Sequence, residues 1–199
     1  MTLDSTITAS FAPSGTLRVA INLGNPILAR AGEDPARPSG ISVDIATELA
    51  RRLSVPIEFV VVDAARKSVE AVANDHADVG FFAADPVRAA HIEFTEPYLL
   101  IEGCYLVERD SAVTTNEQVD TPHNRVAVGA GSAYDLFLTR ELHHAAARSG
   151  GRCETATGRG RAALRQPPAD RATVHGYPAG DGRCACARPC RIAVPRSVH

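Results

Sequence analysis

Arg88 lies three residues after Asp85 in the segment ADVGFFAADPVRAAHIEFTEPYL, which runs from Ala77 to Leu99. A guanidinium is a planar fork of N–H donors that matches a carboxylate with two parallel bonds, so the chemistry on offer is capture of a small carboxylate. Asp85-Pro86 suits a cap and the first residue of a short helix, since the N–H that Pro86 lacks is not needed there. Arg88 then falls one turn inside that helix. An exposed helical Arg pairing with Asp85 or Glu93 is the plain structural alternative. Phe81, Phe82 and Ala83 close the apolar run before the turn. The two Phe read as core, and either one facing a ligand would make the site less polar. Asn22 and Asn25 end an earlier strand, where a turn-forming role and a ligand contact are both open.

A second constellation is Gly129-Ala130-Gly131-Ser132-Ala133-Tyr134. Tyr134 stands where a dinucleotide fingerprint needs its third glycine, so that reading fails. The N–H groups of Ser132, Ala133 and Tyr134 at a helix start suit an anion, and an ordinary Ser N-cap explains Ser132 equally. Cys184, Cys186 and Cys190, with Cys153, His175 and His199, have a C-x-C-x3-C spacing unlike paired zinc knuckles, and no metal is expected. Cys104 reads as a small buried hydrophobe. His143-His144 are adjacent and point to different faces. No Ser/His/Asp order or carboxylate pair stands out, and Glu96 and Glu102 have no motif around them. These residues therefore predict no catalytic activity and no cofactor.

These groups need strands to hold them. Val- and Ile-rich runs at Thr16–Asn22, Pro56–Val62 and Ala77–Ala84 predict strands, with helices from Ser42 or Asp44 to about Leu53 and from Lys67 to Asn74. That alternation argues for an α/β, largely parallel sheet, whose ligands bind outside the carboxyl ends of the strands. Asn25 to Gly40 reads as a loop over the site, and Leu99 to Val107 as an apolar run leaving the first lobe. A second sheet begins at Val126–Val128, followed by a helix from Ser132 to about Ala147. The expected domains are a flexible arm at 1–15, lobe one at 16–108, the start of lobe two at 109–147, and a low-complexity, disordered tail at 148–199.

The tail sets itself apart by composition. Residues 1–147 hold 11 basic against 20 acidic side chains, a net of −9, whereas residues 148–199 hold 10 Arg against 3 acids, a net of +7. With few aliphatic residues and four of the five Cys, the tail lacks the apolar surface that offsets chain entropy. A reading-frame shift in GC-rich DNA would produce such a composition. Ten Arg also raise nucleic-acid binding as an alternative, which the near absence of interleaved aromatics disfavours. No apolar stretch reaches the ~20 residues of a membrane span, and MTLDSTITASFAPSG has no signal-peptide pattern, which leaves two readings open: a true start upstream of this one, or retention in the cytoplasm.

In order and spacing, Asp78, Asp85-Pro86-Val87-Arg88 and Phe94-Thr95-Glu96-Pro97-Tyr98 resemble a pattern of the extracellular solute-binding proteins of ABC transporters, family 3. GTLRVAINLGNP, Gly40 to Ala46 and Arg125 to Tyr134 extend the resemblance over roughly residues 15 to 146. It implies a two-lobed periplasmic-binding-protein fold, with lobe one nearly complete and lobe two broken off after about residue 147 by truncation or frameshift. It also implies a monomer in the periplasm that binds an amino acid or similar carboxylate for a permease partner. Arg88 would hold the carboxylate, with Asp85, Ala83, Phe82 and Asn22 near it and Ser132, Ala133 and Tyr134 contributing from lobe two. Asp85 replaces the family's usual Thr. The aspartate that such proteins place late in lobe two for the ligand's amino group has no visible counterpart, which implies impaired binding. A dehydratase of a cyclic carboxylic acid on the same scaffold is the enzymatic alternative.

Overall fold

A computed structural model describes residues 4–34, 36–105, 107, 112–149, 161–163 and 184–195. In chain order the elements are α1 (Ser5–Phe11), β1 (Leu17–Asn22), α2 (Ile41–Leu53), β2 (Ile57–Val62), α3 (Ala65–Ala73), β3 (Val79–Ala83), a 3-10 turn (Arg88–Ala90), β4 (Ile92–Phe94), β5 (Leu99–Cys104), β6 (Arg125–Val128), α4 (Ala133–Glu141), β7 (Ala146–Ser149), β8 (Arg161–Ala163) and β9 (Cys184–Pro195). They form two compact units, Met1–Leu99 with Pro189–His199, and Leu100–Arg188.

The first unit is the expected α/β sheet with helices on both faces. Its strand order is β2-β1-β3-β9-β4, with β1 parallel to β2 and β3, and β9 antiparallel to β3 and β4. Successive strand residues point to opposite faces, and the core divides accordingly. Leu17, Val19, Ile21, Val79 and Phe81 pack with Val43, Ala46, Ala50 and Leu53 of α2. Ala20 and Phe82 turn the other way, onto Ala71 and Val72 of α3 and onto Ile92. Each large side chain buried this way contributes about 1.5–3 kcal/mol.

Three local expectations are corrected. Residues 1–15 contain α1, capped by the Asp4 carboxylate, which accepts the Thr6 N–H at 2.9 Å, and fastened by Phe11 and Ala12 against the core. The arm therefore has a helix whose last apolar residues have somewhere to pack. Helix α2 starts at Ile41, not at Ser42 or Asp44, because the Leu28 carbonyl accepts the Ser42 N–H at 3.1 Å and replaces a side-chain cap. Gly40 makes this approach possible: its φ is 123°, and a Cβ there would lie 2.6 Å from the Leu28 oxygen. Helix α4 ends at Glu141 rather than near Ala147. There the Asp120 carboxylate accepts the N–H groups of His143, His144 and Ala145 and turns the chain into β7.

The second unit carries parallel β6 between β7 and β8, over a core of Val119, Val126, Val128 and Leu138. Composition predicts no regular structure after Arg148, yet the backbone is extended at β8 and β9. The backbone of β9 pairs antiparallel with β3 and with β4. The chain thus returns to the first unit by a strand that composition hides. Cys153, His175, Tyr177 and His199 lie outside the described residues. Among the described residues, no helix is long and apolar enough to cross a membrane.

The Asp120 turn carries a pH signature. Three backbone N–H groups, with a further contact from His144, hold this carboxyl well below the usual range. A depressed native value means the contribution is complete above the unfolded value of about 3.9 and is lost as pH falls through the native one. The melting-temperature gap between wild type and Asp120→Asn should therefore stay constant down to about pH 5 and shrink at lower pH. A gap that widens on acidification would contradict this assignment.

Candidate functional site

The site is built from the amino end of β3 to the turn beyond its carboxyl end. At the entry, Asp78 Oδ2 accepts the Arg18 backbone N–H at 2.8 Å and its Nε at 3.2 Å, while Oδ1 takes Nη2 at 2.6 Å. The Asp78 N–H returns a bond to the Arg18 carbonyl at 2.8 Å, and Arg18 Nη1 donates to the Asp75 carbonyl at 2.8 Å. Asp78 is buried, and its hydrogen bond to Arg18 raises the guanidinium's pKa above the ordinary value. β3 is thereby pinned alongside β1, with Val79 opposite Val19 and Gly80 opposite Ala20.

With its start fixed, β3 delivers Ala83 to the far edge of the sheet. The Ala83 carbonyl accepts Arg88 Nη1 at 3.0 Å. Arg88 is only 6 % exposed, so its guanidinium is held from within the fold rather than waving on a surface helix. Asp85 shapes the turn between them: its Oδ1 accepts the Val87 N–H at 3.0 Å, and its carbonyl accepts the Ala89 N–H at 2.9 Å. The predicted helix at Asp85-Pro86 is a turn followed by the 3-10 segment, because β4 begins at Ile92 and leaves no room for more. A shallow, mainly apolar groove of about 390 Å³ runs beside this turn, between Pro86, Ala89 and Phe94.

The other candidates divide. Phe82, 3 % exposed, is packed among Val72, Ala71 and Ile92 and is a core residue. Phe81 lies on the opposite face, edge-on to Tyr98 with ring centres 6.0 Å apart. Asn22 uses its Oδ1 on the Gly24 N–H at 2.9 Å, and Asn25 uses its own on Ile27 at 3.2 Å, so both form turns. Ser132, Ala133 and Tyr134 belong to the second unit. The Ser132 N–H donates to the Gly129 carbonyl at 3.1 Å, its Oγ accepts the Asp135 N–H at 3.1 Å, and Asp135 Oδ2 accepts the Gly131 N–H at 2.8 Å. Tyr134 packs onto that unit's core. Sequence reasoning missed Arg18 and Asp135; the Ser-x-x-Asp spacing of a capping box was the available signal for the latter.

A family model described as bacterial extracellular solute-binding proteins, family 3, matches residues 17–178. The chain belongs to this family. Solved structures agree on the fold. An ancestral amino acid-binding protein, a precursor of cyclohexadienyl dehydratase, is 21% identical with a TM-score of 0.72, covering 96% of this chain and 86% of its own. A putative binding component of an ABC transporter from Wolinella succinogenes, complexed with lysine, is 18% identical with a TM-score of 0.69, covering 92% and 83%. The arginine-bound, truncated ArgBP from T. maritima is 21% identical with a TM-score of 0.67, covering 94% and 91%. No curated protein matches the chain. At these identities the likeness is one of fold, and in this family 3 protein the side chains must argue for themselves.

The Asp85 turn can be tested directly. Asp85→Ala removes the acceptor for the Val87 N–H and should cost about 1–2 kcal/mol in urea unfolding. Asp85→Asn keeps an oxygen at that place and should lose less than half as much. Equal losses would show that the cap is not what Asp85 supplies.

Proposed function

We propose that this protein is the solute-binding component of an ABC importer, working as a monomer in the periplasm, and that it takes an amino acid or similarly small carboxylate through Arg88. The observation that carries this reading is the Arg88 guanidinium, buried and held on the Ala83 carbonyl at the carboxyl end of β3. A cation fixed at that edge is preorganised for a carboxylate, and preorganisation lowers the entropy lost on binding. Binding itself needs no catalytic group, and the protein is a binder rather than a dehydratase.

Binding is weak in this chain. In the second unit the Ser132 and Gly131 N–H groups already have partners within the protein. The acidic residue that relatives offer to a ligand's amino group has no counterpart recognisable in the sequence. Isothermal titration with a panel of amino acids, lysine and arginine included, should give dissociation constants near the millimolar range, about −4 kcal/mol. Arg88→Lys should weaken the best ligand about tenfold or more, because an ammonium cannot reproduce the bidentate fork. Prephenate and arogenate should survive incubation unchanged. A micromolar affinity would overturn the weak-binding reading, binding indifferent to Arg88→Lys would remove Arg88 from it, and turnover would make the protein an enzyme.

A further inference from the structure

We draw no further inference here: the strongest candidate, the shallow apolar groove beside the Asp85 turn in the first unit, lined by Pro86, Ala89 and Phe94, carries nothing because nothing in the structure shows what covers it.

Discussion

The first unit depends on one carboxylate. Asp78 closes a two-way bond with the Arg18 backbone and a fork with its guanidinium, so β3 enters the sheet at one register only. Everything chemical lies downstream. If β3 slipped by one residue, Phe81 and Phe82 would exchange faces, and both cores would be broken at once. The same slip would move Ala83, whose carbonyl holds Arg88. Asp78 is buried while Arg18 is partly exposed, so removing the arginine side chain leaves a buried carboxylate short of partners, which suits the pair to fixing a register.

A shared device recurs through both units. Asp4, Asp34, Asp85, Asp120 and Asp135 each give carboxylate oxygens to backbone N–H groups at a turn or helix start. Of the 20 acidic residues in 1–147, these five satisfy backbone N–H groups where the chain changes direction. In the second unit this use of acid falls in the Gly129–Ser132 loop, where Asp135 accepts the Gly131 N–H and Ser132 Oγ accepts the Asp135 N–H.

What was legible in the sequence follows from range. The strands at Leu17–Asn22, Ile57–Val62 and Val79–Ala83 and the cassette up to Arg88 were readable because their signals are local: aliphatic runs, Asp-Pro, and a spacing that resembles one family. The start of α2 was misplaced because its cap is the Leu28 carbonyl, brought from a preceding loop, and no side chain announces it. The end of α4 was misplaced because Asp120 acts from 25 residues upstream of Ala145. Asn22 and Phe82 were ambiguous in sequence because the turn bond of one and the packing of the other depend on neighbours that no local pattern names. β9 escaped notice because its neighbours in sequence are Arg-, Cys- and Gly-rich, while its pairing partners, β3 and β4, lie about a hundred residues away.

The register of β3 rests on the Arg18–Asp78 bond, and a double-mutant cycle measures it most directly. Urea unfolding of Arg18→Met, Asp78→Asn and the pair should give a coupling energy of about 1.5–3 kcal/mol, with Asp78→Asn the more damaging single change. Losses that simply add, with coupling below about 0.5 kcal/mol, would mean that β3 holds its register without this bond. The geometry of Arg88 would then need another origin.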